Sequence, residues 1–174
     1  GGDVLSEHHI RIGRIQNSVG SYEISGTDTG TTLESEKHIW VGDLGVGRFA
    51  QKGGTVEAHR LKLGVADTGT GVYEISDGIL DITASLEGGV GGIGRFVVRG
   101  DAATITAGAG FEQNERSTLQ VDIDDGGVSV IDVTGTAEFA VGSILDANDV
   151  DVDDDGSGVT VSCTTWHVVV EADS

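Results

Sequence analysis

Proline and methionine are missing altogether from this chain of 174 residues, cysteine occurs once, and ten Lys and Arg stand against 29 Asp and Glu. Each shortage excludes something. With Cys163 alone no intrachain disulfide can form, and the residue reads as a small buried hydrophobe. The formal net charge of -19 repels phosphate backbones, and no dense basic cluster counters it, which sets nucleic acid aside as a partner. No apolar run approaches the roughly 20 residues needed to span a bilayer, and no basic amphipathic stretch would lie on one, so no membrane insertion is expected. Aromatics are scarce too, at two Trp, two Tyr and four Phe. A core is possible with 37% hydrophobic residues, but small and β-branched side chains must fill most of it, and a thin core implies a thin fold.

Glycine, at 29 residues, is abundant and patterned. Four segments of the apolar-x-apolar-Gly kind open successive units: Ile10-Arg11-Ile12-Gly13, Ile39-Trp40-Val41-Gly42, Leu61-Lys62-Leu63-Gly64 and Leu86-Glu87-Gly88-Gly89. Each is followed by an aromatic residue with glycine two positions before it: Tyr22 after Gly20, Phe49 after Gly47, Tyr73 after Gly71 and Phe96 after Gly94. The aromatics are 27, 24 and 23 residues apart. A period in this range is the signature of a repeat architecture whose units cannot bury their faces alone.

Within a unit, apolar residues alternate with polar ones, as in Tyr22-Glu23-Ile24-Ser25 and Tyr73-Glu74-Ile75-Ser76, which is strand periodicity. A further alternating segment places Leu33, Val56, Leu80 and Ile105 at equivalent positions, with Ser35, Ala58, Ile82 and Ala107 two residues on. Three short strands per unit, separated by glycine corners and lacking helical periodicity, predict an all-β parallel β-helix, or β-solenoid, of about six turns. One domain covers 1–174, with regular turns over 10–108 and a less regular, acidic continuation or cap over 109–174. Segments 117–123, 128–133 and 137–141 suit a fifth turn, and 159–163 with 166–170 a sixth; a small antiparallel sandwich or hairpin cap is the alternative for this half. Ladders follow from the stacking: Tyr22, Phe49, Tyr73 and Phe96 in one, Ile24, Gln51, Ile75 and Val98 beside it. Gln51 interrupts that apolar row and is expected to hydrogen-bond a corner backbone internally.

The phrases Val41-Gly42-Asp43-x-Gly45-x-Gly47-x-Phe49-x-Gln51-x-Gly53-Gly54-Thr55-Val56 and Gly69-x-Gly71-x-Tyr73-x-Ile75-Ser76 resemble the repeats of bacterial autotransporter-type β-helix proteins. Gly142-Ser143-Ile144-Leu145-Asp146 and Thr165-Trp166-His167-Val168-Val169 are similar to the closing turns of that group. The resemblance implies a right-handed β-helix outside the cell, usually without enzymatic activity.

Three groups of residues are candidates for chemistry. Asp151, Asp153, Asp155 and Ser157, with Gly156 between, form a D-x-D-x-D-G loop of the kind that wraps Ca²⁺, so calcium is the one cofactor expected; a solvated acidic corner is the competing reading. Arg48, Lys52, Arg95 and Arg99 recur on the aromatic face, where they could grip an acidic glycan or pair with Glu23 and Glu74. His9, His38 and Arg60, with His8, Lys37 and His59 one place earlier, should stack as a positive stripe, facing solvent or another protomer rather than holding a transition metal. Catalysis has little support, since Asp124 and Asp125 are a lone carboxylate pair and the glycine-rich corners lack the Lys-Ser/Thr and the helix of a phosphate loop. The expectation is therefore a non-catalytic extracellular structural solenoid in cell-surface adhesion or head-to-tail self-assembly, either self-associating end to end or cut from a larger parent chain. A carbohydrate-binding or polysaccharide-cleaving β-helix module is the alternative.

Overall fold

The computed structural model describes residues 3–26, 30–123, 129–149 and 161–168. Among them are fourteen strands, joined by parallel pairing, and no helix. The alternation read from the sequence is what the strands obey. Along Val46–Leu63, Phe49, Val56, Leu61 and Leu63 are fully buried while Arg48, Lys52 and Glu57 between them face outward. Each such buried side chain contributes on the order of 1.5–3 kcal/mol.

The chain winds as a β-solenoid of about five turns. Starting at Val4, the first face is reached again at Leu33, Val56, Leu80, Ile105 and Ile131. Val161–Val168 stacks on Ile131–Phe139 as a further strand, but the circuit leading to it passes through residues outside the described set, so the expected sixth turn is not closed among the described residues. The second face stacks Ile10, Ile39, Leu61, Leu86, Phe111 and Ala137. The third stacks Tyr22, Phe49, Tyr73, Phe96, Leu119 and Leu145. These are the equivalences the repeat implied, extended through the later half in the same parallel sense; the antiparallel sandwich considered for that half is overturned.

Strands do not always stop at corners. Thr32–Val41 runs through two faces with a register irregularity between Ser35 and His38, and Val46–Leu63 runs through three, bending at Gly53 and Gly54. The tight corner between the second and third faces is a glycine column: Gly13, Gly42, Gly64 and Gly89 have φ of 69°, 73°, 63° and 65°. At Gly42 a Cβ would also lie 2.2 Å from the Thr70 carbonyl, so both conformation and clearance demand glycine.

Inside, Tyr22, Phe49, Tyr73 and Phe96 stack with ring centroids 5.1, 4.6 and 5.8 Å apart. Beyond them the aromatic column crosses to the second face through Phe111 and Phe139, at 6.3 and 5.9 Å. Gln51 is buried and satisfied as expected. Its Nε2 donates to the Gly54 and Ile79 carbonyls at 3.2 and 2.9 Å, and its Oε1 accepts from the Tyr73 hydroxyl at 2.6 Å. Burial holds the Tyr73 phenol well above its usual pKa, so it stays a donor.

Candidate functional site

The third face carries the strongest concentration of outward charge. Strand alternation places Arg48 and Arg95 one residue before the inward Phe49 and Phe96, and Lys52 and Arg99 one residue after the inward Gln51 and Val98. Because successive turns lie about 4.8 Å apart, side chains from neighbouring turns reach one another directly. Glu74 accepts from Arg99 at 2.9 Å and faces Arg48 at 3.6 Å, so one carboxylate ties the second turn to the fourth. Lys52 meets Glu23 at 3.0 Å. Arg99 also pairs with Asp122, and Arg95 donates to Gln120, whose Nε2 reaches Asp122 at 2.5 Å. The hydrogen bond that Arg99 donates to Glu74 raises the Arg99 pKa further.

Thus Arg48, Lys52, Arg95 and Arg99 do share a face, and all four already have protein partners. Arg48 and Lys52 keep most of their side chains in water, where such pairs are worth about 0–1 kcal/mol and yield readily to another anion. Together with Tyr22, Glu23 and Glu74 they line a shallow cavity of about 310 Å³. Gln120 and Asp122, which complete the network, escaped sequence reasoning because the fifth turn has no glycine phrase to set its register; the spacing from Leu119 to Phe96 would have found them.

A second cluster lies on the first turns. His9 stacks on Trp40 at 4.9 Å and stands 4.8 Å from His38, which is 6.1 Å from His59. The Arg11 guanidinium sits 4.1 Å over the Trp40 ring and reaches Asp43 at 3.5 Å. His38 stands in register with Arg60, as the stripe expected from the sequence has it, and the ring of His59, one position earlier, stacks against that of His38. Trp40 Nε1 donates to His38 Nδ1 at 3.3 Å, which occupies the lone pair, and His59 Nδ1 is engaged with Thr83 Oγ1 at 3.2 Å. No group of three or more His, Cys, Asp or Glu side chains able to hold a metal ion occurs among the described residues. Partial burial together with Arg11, Lys37 and His8 lowers the His9 pKa; partial burial, then His9, Lys62, Arg60 and His59, lowers that of His38.

The second face is charged in a different manner. Outward positions run Arg11, Trp40, Lys62, Glu87, Glu112, Glu138 in register. Glu87 is nearly buried and well satisfied, with Lys62 at 2.7 Å, Ser85 Oγ at 2.5 Å and Arg60 at 3.8 Å. Glu112 makes no such ion pair among the described residues, and burial with the repulsion of Glu87 and Glu138 outweighs the more distant Lys62 and Arg60 and pushes its pKa up. Asp151, Asp153, Asp155 and Ser157, proposed from the sequence for calcium, lie outside the described residues, as do Asp124 and Asp125.

The fold and these surfaces define a parallel β-solenoid. Comparison with protein-family models, curated proteins and solved structures finds no match; of the likeness to autotransporter repeats, the solenoid architecture is what is shown.

Proposed function

We propose that the chain is a non-catalytic structural solenoid of the cell exterior, acting in surface adhesion or in head-to-tail self-assembly. One observation carries this reading. The strands of the first turn, Val4–Ser6, Ile10–Ile12 and Val19–Gly26, each pair on one side only among the described residues. Their other edge presents backbone N–H and C=O groups in three directions, a template for the last turn of another copy or of a preceding segment. The aromatic column gives such a rod an internal register, and the charged outer faces keep it in solution. Electron microscopy of the purified chain at high concentration tests it: rods of increasing length are expected, and uniformly single particles would remove self-assembly.

Acidic-glycan binding is the second reading, favoured by the cavity in which Arg48 and Lys52 flank Tyr22. A charged sugar would exchange with Glu23 and Glu74 for the exposed cations while its ring edge met the tyrosine. Titration with acidic oligosaccharides should give binding that Arg48→Ala with Lys52→Ala reduces at least tenfold. Equal affinity of that variant, or no binding, would exclude the reading.

A further inference from the structure

Aliphatic side chains that the fold leaves in water gather along one corner. Val19, Val46 and Ile93 occupy one register row, interrupted only by Thr70, and are 79%, 43% and 50% exposed. Ile15, Leu44 and Val90 on the corner turns just before them are 69%, 44% and 37% exposed. The row ends at Arg116 in the fifth turn, and the exposed Ile144 lies off it, stacked on Thr118 and Arg95. Single exposed aliphatics are ordinary, but a contiguous ridge of them along a rod marks a contact surface.

The ridge borders the second face, whose outward row changes sign at its middle. Arg11, Trp40 and Lys62 occupy the first three places, and Glu87, Glu112 and Glu138 the next three. Reversed, the row sets its basic end against its acidic end, while Lys62 and Glu87 at the centre are already paired within each chain at 2.7 Å. A two-fold axis between Lys62 and Glu87 sets Arg11 opposite the partner's Glu138, Trp40 opposite its Glu112 and Lys62 opposite its Glu87, with the two ridges alongside. We propose that this ridge and its charged flank form a self-association surface that takes a second copy of the chain, side by side and antiparallel.

Charge selects the orientation. All ten Lys and Arg lie at or before Arg116, whereas residues 117–174 hold 13 Asp and Glu and no Lys or Arg. A parallel pair would press two polyanionic halves together; the antiparallel pair keeps them at opposite ends. Glu112, whose burial and neighbouring carboxylates disfavour its charge, meets the end of the partner's row that holds Arg11 and Lys62, in a half whose ten Lys and Arg offset most of its 16 Asp and Glu. Six rungs about 4.8 Å apart make a strip roughly 25–30 Å long, and a symmetric pair along one corner buries on the order of 1,000 Å², the lower bound of specific interfaces. The pair is therefore weak and must be sought at high concentration.

Small-angle X-ray scattering with sedimentation equilibrium, from micromolar to millimolar chain, tests this and separates it from end-to-end assembly. The expected dimer keeps the maximum dimension of one rod and widens its cross-section. Val19→Asp with Ile93→Asp should weaken association at least tenfold. Arg11→Glu and Glu138→Lys should each weaken it several-fold, and the two together in one chain should restore it, which a merely structural role of either residue would not do. A monomer throughout the range, a dimer of doubled length, or a charge exchange that fails to restore pairing would overturn the proposal.

Discussion

The turns before and after about residue 108 use one winding and two different sets of materials. In the earlier turns a column of positive-φ glycines makes the corner, rings stack from turn to turn, and Glu23 and Glu74 on the third face each find a base. In the later turns Asn114 replaces the glycine corner, its backbone N–H and Nδ2 both donating to the Gly88 carbonyl at 3.1 and 3.0 Å, while Ser117 Oγ donates to the Asn114 carbonyl at 2.7 Å. Lys and Arg end at Arg116. The winding survives because parallel stacking needs only alternation and a corner that satisfies its own backbone; it does not need the same residues at each corner.

Steric demand gives the largest contrast. A Cβ on Gly71 would lie 1.9 Å from the Val41 carbonyl oxygen and 2.6 Å from the Gly64 nitrogen. Backbone atoms cannot yield as a side chain can, so Gly71→Ala should cost on the order of 3–5 kcal/mol in chemical denaturation. Gly110, in the later half, would put its Cβ 3.3 Å from the Thr136 oxygen, and Gly110→Ala should change stability by less than about 1 kcal/mol, the strain being offset by a less flexible unfolded chain. Gly135 is the control, because its Cβ would sit 1.7 Å from the Ala109 oxygen. Gly135→Ala should cost as much as Gly71→Ala; a small effect there would mean that the later half can relax where the earlier cannot.

Buried glutamines sharpen the same comparison. Gln51 and Gln113 are each 1% exposed. The first has three partners, whereas both amide atoms of the second have none among the described residues. Gln51→Leu strands the Tyr73 hydroxyl and should cost about 2 kcal/mol. Gln113→Leu removes an unpaired buried amide and should be neutral or stabilising by about 1 kcal/mol. Equal losses by thermal and denaturant unfolding would show that Gln113 has found partners too.

Almost all of the earlier half was legible because every level of the sequence repeats together. The aromatic, the glycine before it and the alternation around it fixed the register of Phe49 on Tyr22 and of Tyr73 on Phe49, and with it the burial of Gln51. Past Gly108 the glycine phrase is gone, and alternation alone defines a strand without saying which strand lies beneath it. The partners of Arg95 and Arg99 in the fifth turn were hidden for that reason. The His9 and His38 stripe was legible, but the place of Trp40 and Arg11 beside it was not: residue type does not repeat at their position, and only the stacking of Ile10 on Ile39 brings Arg11 onto Trp40. The aliphatic ridge shares this cause.

Salt should divide the halves by about 1 kcal/mol or less. With charges of one sign and no Lys or Arg past Arg116, the later turns repel themselves when the Debye length is about 30 Å at 0.01 M and are relieved when it falls below about 10 Å. The mixed pairs of the third face, Glu74 with Arg48 and Arg99, respond weakly or in the opposite direction. Hydrogen exchange read by region should therefore show protection of Ile131–Phe139 rising with salt while that of Thr70–Ile82 stays level. A uniform change along the chain would erase the distinction.

Acidification should move the halves in opposite directions, by the smallest amount. The lowered pKa values of His9 and His38 mean that the folded first turns bind fewer protons than the unfolded chain, whose imidazoles titrate near 6.5. Their stabilising contribution is complete above that value and is lost as pH falls below it, when protonation takes the acceptor at His38 from Trp40 and adds charge beside Arg11, Arg60 and Lys62. For Glu112 the sign reverses. Its folded pKa lies above the ordinary 4.5, so the folded state binds the extra proton, and the cost of its charge, full at neutral pH, disappears as pH falls through the raised value. Between pH 7 and 5, amides of Ile10–Ile12 and Thr32–Val41 should lose protection while those of Gly110–Gln113 gain it. Glu112→Gln should abolish the gain and leave the loss untouched; if both persist together, the later response belongs to the acidic half as a whole rather than to this carboxyl.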